Sequence, residues 1–343
     1  MNKIIVTGGL GFIGTNLINK LMENKKNVIL NIDKITYCSN SSVNIHYYKN
    51  KNYNFKKIDL SSNFNLLNKT IINFKPDIIF HLAAESHVDS SLKNSINFFN
   101  TNLIGTLNLL MSVKKYLNKF KKKNKNFRLI HVGTDEIYGD LELNSKKSFK
   151  ENSQILPSNP YSASKACGVI VAKTWFRNFK LPVIITNSVN NFGVFQFPEK
   201  FIPRSILTSL FKGKIEVYGK GNNIRSWIYV EDHIDALILL AKKGKVGETY
   251  NISANFNISN LKLAKYIKSI LKTKKIKTKI ICVRDRLGHD KRYSVDNSKI
   301  KKLGWQYNSN VLEKLNEIVR WYLDKKNLNY FKNLKKEILR KGL

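Results

Sequence analysis

The chain has 343 residues, long enough for one large α/β domain with an appended lobe, and carries 60 Lys or Arg against 24 Asp or Glu, a formal charge of +36. Such a balance raises nucleic acid as a partner. The lysines, however, are scattered along the whole chain amid a general excess of Asn and Ile, so the charge reads as solvation and attraction of small anions rather than a nucleic-acid-binding face.

Residues 3–7 (KIIVT) form an apolar strand that starts at once, leaving no room for a cleavable leader. Gly8, Gly11 and Gly14 follow in GxxGxxG spacing and open an amphipathic helix that reaches about Glu23. This is a phosphate-cradling turn: the glycines allow a tight bend and close backbone approach, and the free amides at the start of the helix meet a pyrophosphate. A second strand over residues 27–32 ends at Asp33, whose carboxylate is placed to bind an adenosine ribose and to repel a 2′-phosphate, which predicts NAD rather than NADP. Strand three, residues 55–58, closes on Asp59 and Leu60, placed to flank an adenine ring. Strand four, residues 78–82, leads into Ala83, Ala84, Glu85 and Ser86. Four βα units predict a doubly wound parallel sheet. His81 and His87 lack the spacing of a metal pair or catalytic triad and read as packing residues.

A helix from about Asn94 to Lys119 shows Phe98, Leu103, Leu107 and Leu110 at helical spacing, with Thr101 early enough to face the cofactor. Lys121, Lys122, Lys123 and Lys125 read as a solvated loop. The next strand, residues 127–132 (FRLIHV), is an apolar run of the kind buried on both faces of a parallel sheet, so Thr134, Asp135 and Glu136 fall at its carboxyl end, where open α/β sheets place ligands. Tyr161 and Lys165 lie four residues apart on a helix beginning near Pro160, so both project from one face. A lysine ammonium near a phenol lowers the tyrosine pKa, preparing it to take a hydroxyl proton while hydride leaves the same carbon. Cys38, Cys167 and Cys282 are odd in number, far apart and in no CxxC pair; neither a disulfide framework nor a metal site is expected, and a reducing, cytoplasmic setting fits. No apolar run reaches the ~18 residues needed to span a bilayer, so no membrane attachment is expected.

With Thr134, the Tyr161 and Lys165 pair resembles the catalytic set of the extended short-chain dehydrogenase/reductase superfamily, in its sugar-nucleotide branch. Alcohol oxidation alone needs no Asp135 and Glu136. Once C4 of a hexose is a ketone its C5 proton is acidic, and a carboxylate base with a neighbouring carboxylic acid would eliminate water across C5 and C6. TDEIYG, AAESHVD, PYSASK, YGKGNNIRSWIYVEDH, GETYNI and DRLGHDKRY together resemble the dTDP-glucose 4,6-dehydratases from residue 3 to about 323.

The resemblance implies a Rossmann-type domain over residues 1–187 with a returning segment at about 223–252, and a smaller C-terminal α/β lobe of residues 188–222 and 253–343 that binds the nucleotide sugar. It implies Tyr161 as base at the C4 hydroxyl, Lys165 as its support, Thr134 positioning the sugar, Glu136 as base at C5 and Asp135 as acid at C6. Toward NAD it implies Gly8, Gly11, Phe12, Ile13, Gly14, Asp33, Lys34, Thr36, Asp59, Leu60, Leu82, Ala83, Ala84, Thr101 and Asn191, besides Tyr161 and Lys165. Toward dTDP-glucose it implies Ser86, Asn190, Lys200, Phe201, Tyr218, Arg225, Asn251, Asp285 and His289, with Lys200, Arg225 and Arg284 facing the diphosphate. It also implies a homodimer pairing the helices near residues 94–119 and 161–179. Leu287 stands where the family has Pro, leaving the 285–289 loop less preset, and Val194, Phe195 and Ser226 are further departures. A UDP-glucose 4,6-dehydratase and a nucleotide-sugar 4-epimerase are the competing enzyme readings; an idle NAD- or anion-binding protein is the non-enzymatic one.

Overall fold

The computed structural model describes residues 2–40, 47–120 and 126–328, so the loop expected at 121–125 lies outside the described residues. The large domain runs β1 (Asn2–Thr7), α1 (Phe12–Met22), β2 (Asn27–Asp33), β3 (Tyr53–Lys57), α2 (Phe64–Phe74), β4 (Ile78–His81), α3 (Val88–Lys93) and α4 (Ser95–Phe99). A π-helical segment, Asn100–Ile104, leads into α5 (Gly105–Lys119), β5 (Arg128–Thr134), a 3-10 turn at Asp135–Tyr138, α6 (Pro160–Phe179) and β6 (Val183–Ser188). There follow β7 (Asn190–Phe192), α7 (Phe201–Lys212), β8 (Lys214–Tyr218), β9 (Ile224–Tyr229), α8 (Val230–Lys243), β10 (Thr249–Ile252) and β11 (Phe256–Ser259). The chain then forms α9 (Asn260–Thr273), β12 (Lys279–Val283), α10 (Ser298–Lys301), α11 (Val311–Leu323) and α12 (Lys325–Leu328).

Among the described residues, seven strands pair in the order β10-β6-β5-β4-β1-β2-β3, all parallel. This is a Rossmann-type doubly wound sheet. Its strands are apolar on both faces because helices cover both: Ile5, Ile29, Ile79, Leu129 and Ile184 are all fully buried. The register aligns Thr7 with His81, His81 with His131, and Thr134 with Ser188, so the loops after β1, β4 and β5 leave the sheet along one edge.

The small lobe contains the sheet β11-β9-β7 and the parallel pair β12-β8. The segment expected to return to the large domain divides: β10 pairs with β6 in the large sheet, and α8 packs on α1, β5 and β6, but β9 pairs with β7 and β11 in the small sheet. The reason is Trp227 and Tyr229, whose rings meet Phe192 in a buried aromatic cluster on the small sheet.

The helix expected as continuous over 94–119 is interrupted at Asn100–Ile104. Asn102 there is drawn out of the regular ladder: its amide accepts from the Glu85 N–H at 2.9 Å and donates to the Glu85 carbonyl and to Ser164 Oγ. An inserted residue of this kind re-aims the segment, and Thr101 on it faces the glycine-turn pocket described below. His81 is buried, bonded to Thr7 Oγ1 at 2.8 Å and Thr106 Oγ1 at 3.0 Å, a packing role as expected. No helix among the described residues is long and apolar enough to cross a membrane.

Leu237 on α8 is fully buried between this returning helix and the large sheet. Leu237→Ala should cost about 2–5 kcal/mol, the range for a core cavity, and lower the urea midpoint without changing the folded circular-dichroism spectrum. An unchanged midpoint would show that α8 does not belong to the large domain's core.

Candidate active site

The glycine turn is shaped by close backbone approaches. Gly8 has φ +71°, and a Cβ there would lie 2.7 Å from Ala83 Cα; a Cβ on Gly14 would lie 2.2 Å from the Gly8 carbonyl oxygen. Helix α1 begins with Gly11 as its N-cap, without a side-chain cap and without an acid in its first turn, so its leading amides and positive dipole face the adjoining pocket. That pocket is lined by Gly8, Gly11, Asp33, Lys34, Thr36, Asp59, Leu60, Leu82, Ala83, Ala84 and Thr101, all expected at a cofactor. Asp33 is buried, which pushes its carboxyl up, while the Ile35 and Leu10 amides at 2.8 and 3.0 Å hold it down. Lys34 bonds Thr101 Oγ1 at 2.9 Å and pairs with Glu85 at 3.3 Å, tying the loop after β2 to the π segment. A narrow turn that admits no Cβ, a helix start without a cap and a buried acid at the end of β2 fit the pyrophosphate and adenosine ribose of a dinucleotide.

The second pocket adjoins the first and forms a cleft of about 400 Å³ between the carboxyl edge of the large sheet and the small lobe. Phe12, Ile13, Gly14, Thr134, Glu136, Tyr161, Lys165 and Asn191 line it, as do Ser86, Asn190, Lys200, Phe201, Tyr218, Arg225 and His289. Thr134 is the last residue of β5, and its hydroxyl bonds the Tyr161 phenol. Tyr161 and Lys165 are set by the start of α6, where Pro160 occupies the first turn and Asn159 and Ser162 form a capping box. Asn191 Oδ1 accepts from His233 Nδ1 at 2.9 Å, and its side-chain N–H donates to the Val189 carbonyl.

Four expected residues stand elsewhere. Asn251 is fully buried in β10, accepting from the Tyr138 hydroxyl at 2.9 Å and donating to the Phe149 carbonyl, because the strand turns its side chain under the 139–159 loop rather than into the cleft. Asp285 is half exposed and pairs with His289 Nδ1 at 2.6 Å, so it orients the histidine instead of lining the cleft. Arg284 does not line the cleft; Arg286, two residues on, does, held by Asp89 at 3.1 Å and stacked 4.7 Å over the Tyr218 ring. Asp135 is buried behind the lining, within reach of Thr134 Oγ1 at 3.4 Å, and its Oδ2 has no hydrogen-bond partner among the described residues.

The electrostatics differ from the expected lysine–tyrosine contact. Lys165 Nζ donates to the Val132 carbonyl at 2.6 Å, and burial pushes its pKa down to about 8. Burial, then the Glu136 charge, pushes the Tyr161 phenol up, opposed by its bond to Thr134. Burial raises both neighbouring carboxyls: Asp135 well above its usual range with help from Glu136, and Glu136 against the opposing pull of Arg225. Tyr293, which the sequence did not single out, donates to Glu136 Oε2 at 3.4 Å and to Asp290, and lies under the Arg225 guanidinium, 4.4 Å from its ring centre. Arg204 also lines the cleft, paired with Glu216 at 2.8 Å. Arg286 and Tyr293 stand inside the DRLGHDKRY stretch but are not singled out within it, and Arg204 lies outside the quoted motifs; all three are brought in by the small lobe.

A family model described as GDP-mannose 4,6 dehydratase matches residues 5–318. The dTDP-glucose 4,6-dehydratase of Haemophilus influenzae is 42% identical over 94% of this chain and 98% of its own length. The chain belongs to the dTDP-glucose 4,6-dehydratase family. Among solved structures, the dTDP-glucose 4,6-dehydratase of Bacillus anthracis in complex with NAD matches at a TM-score of 0.86 and 36% identity, covering 97% of this chain and 100% of that one. That of Streptomyces venezuelae, with NAD and TYD bound, matches at 0.88 and 32%, covering 97% and 99%. For a dTDP-glucose 4,6-dehydratase family member, the acidic pair beside the Thr134, Tyr161 and Lys165 cluster is the chemically informative part of the site, because oxidation alone gives it no task.

Lys165 offers a test of that burial. Its folded pKa of about 8 lies below the ordinary 10.5, so the unfolded chain holds more protons between those values and stability rises with pH across that window. Lys165→Met should remove the rise: the stability advantage of the variant over the parent, measured by urea unfolding, should be larger at pH 7 than at about pH 9.5. A pH-independent difference would mean that the ammonium is solvated.

Proposed function

We propose that this chain converts dTDP-glucose to dTDP-4-dehydro-6-deoxy-glucose and water, using bound NAD. The observation that carries the reading is the pair of a buried Asp135 and a cleft-lining Glu136 set beside Thr134, Tyr161 and Lys165 at the carboxyl end of β5. NAD, when bound, supplies the acceptor for hydride from C4 and the donor that returns it to C6. The chain supplies the rest. Thr134 and Tyr161 share the C4 hydroxyl, and Tyr161 takes its proton. Lys165, held at the Val132 carbonyl one turn along α6, would support the phenolate through the charge of its ammonium. Glu136, which faces the cleft, removes the C5 proton made acidic by the adjacent ketone. Asp135, kept protonated by burial and by Glu136, is the acid for the departing C6 hydroxyl, and its unpaired Oδ2 fits a donor that acts only during elimination.

Gly8, Gly11 and Gly14 with the α1 amides would hold the pyrophosphate of NAD, and Asp33, Asp59 and Thr101 its adenosine end. Lys200, Arg225 and Arg286 present cations to the sugar nucleotide's diphosphate, while Asn190, Phe201, Tyr218 and His289 complete its pocket. The chain acts in the cytoplasm, in keeping with Cys38, Cys167 and Cys282 as free thiols. It pairs as a homodimer through the helical face where Leu92, Ile96, Ile170 and Phe179 are 43%, 67%, 49% and 46% exposed.

Purified protein given dTDP-glucose or UDP-glucose without added NAD should produce a 4-keto-6-deoxy sugar from the first, read by its alkali-induced absorbance; no keto product from either would sink this reading. Glu136→Gln should leave C4 oxidation detectable and slow elimination by at least roughly a hundredfold, the scale of one acid or base. Because the base must be ionised and its pKa is raised, the parent's kcat should fall with decreasing pH through a limb above the ordinary glutamate value of 4.5. Tyr161→Phe should suppress oxidation itself, so that no reduced cofactor accumulates even in a Glu136→Gln background. Normal oxidation in that double variant would remove Tyr161 as the base.

A further inference from the structure

The loop after β2 makes a contact that neither pocket requires. Tyr37 lies outside both linings and is 59% exposed as a residue, yet its hydroxyl donates to Glu199 Oε2 at 2.7 Å, across 162 positions of sequence. Its ring meets Phe197 edge-on at 5.4 Å. Glu199 is nearly buried and pairs through Oε1 with Lys200 at 3.4 Å; Lys200 donates back to the Ser86 carbonyl at 2.6 Å and Ser86 Oγ at 3.2 Å. The chain of contacts runs from the large domain at Tyr37, through the small lobe at Glu199 and Lys200, to the large domain again at Ser86. It spans the junction of the two pockets, where Cys38, next to Tyr37, lines both.

The loop is fixed at its base as well. The Asn40 N–H donates to the Leu10 carbonyl at 2.7 Å, the Ile35 N–H to Asp33, and Ile35 itself sits at φ +59°, a conformation a β-branched side chain rarely adopts unless its surroundings impose it. The Tyr37 end is thus carried on a rigid base and fastened to the other lobe by an aromatic edge and one hydrogen bond to a carboxylate.

We propose that Tyr37 and Glu199 form a strap across the cofactor channel that holds the nicotinamide dinucleotide in place for the whole turnover. This rests on the function proposed above, and it meets a need particular to that reaction. The hydride removed from C4 must come back to C6 of the same sugar, so the carrier has to leave more slowly than elimination proceeds. A pyrophosphate bound on glycine amides is open to solvent at the mouth; a strap from one lobe to the other closes that exit. Tyr37 and Glu199 touch no reacting atom and act as retaining residues.

The test is cofactor retention. Parent protein, Tyr37→Phe, Glu199→Gln and the double variant are purified, loaded with NAD, desalted and assayed for bound NAD after denaturation; the dissociation rate is followed separately by displacement with excess ADP-ribose. Tyr37→Phe, which keeps the ring and removes one charge-assisted hydrogen bond, should release NAD about tenfold faster at an unchanged melting temperature of the stripped protein. The two single effects should be non-additive, because Tyr37→Phe removes and Glu199→Gln weakens the same contact. Parent-like retention in Tyr37→Phe and Glu199→Gln, or fully additive effects, would overturn the strap. A parent protein that binds no NAD at all would overturn the cofactor reading and the strap with it, and is distinguished from the strap's own failure by that first measurement.

Discussion

The structure is governed by the placement of two adjacent acids at the carboxyl end of β5, one buried and one in the wall of the cleft. Asp135 and Glu136 leave the end of β5 in a single 3-10 turn, Asp135 buried and Glu136 partly buried in the cleft wall. Two carboxylates in that setting cannot both ionise without a large electrostatic cost, so one is driven toward its protonated form unless a cation compensates. The compensation is uneven: Arg225 opposes the shift of both carboxyls, while Lys200 and Arg286 further oppose that of Glu136, and the Arg225 guanidinium is itself fastened to the Asp290 carbonyl at 2.8 Å and over Tyr293. Lys200, Arg225 and Arg286 belong to the small lobe, so the closure of that lobe over β5 is what makes two chemically similar residues unlike.

The mouth of the cleft is held by polar contacts between lobes. Asp89 on α3 grips Arg286 and accepts from the Tyr218 hydroxyl at 3.2 Å, while Lys200 reaches back to Ser86. These groups do two things at once: they hold the lobes in register, and they gather cations where a dianionic diphosphate is expected to lie. Cationic side chains of this kind are costly to leave unpaired in a partly closed cleft, and Asp89 and Glu199 supply their partners within the protein.

Two features of the fold override local pattern. The apolar spacing of Phe98, Leu103, Leu107 and Leu110 is helical throughout, and it gives no notice that Asn102 will leave the ladder to bond Glu85 and Ser164. Similarly, the expected effect of a lysine one turn from a tyrosine assumes that the two meet. In the fold, Lys165 finds the Val132 carbonyl first, and Tyr161 is ruled instead by burial and by Glu136. In both cases a partner distant in sequence outcompeted the nearest neighbour.

Much of the site could be read from the sequence, because its chemistry is concentrated in short motifs at the ends of strands. The glycine spacing, Asp33, the Thr134 to Glu136 triplet and the Tyr161 and Lys165 pair are each local, and parallel pairing brings the ends of β1, β2, β4 and β5 to one edge. The sequence by itself therefore determined the fold class, the glycine-turn pocket and the residues gathered at that edge. Only the tertiary structure decided that Arg286 rather than Arg284 faces the cleft, that Asn251 is buried beneath the 139–159 loop, and that Tyr37 reaches Glu199 across the lobes. The physical reason is range. A motif encodes backbone shape and chemistry within one turn, whereas burial, charge compensation and contacts between lobes depend on segments that meet only when the chain has folded.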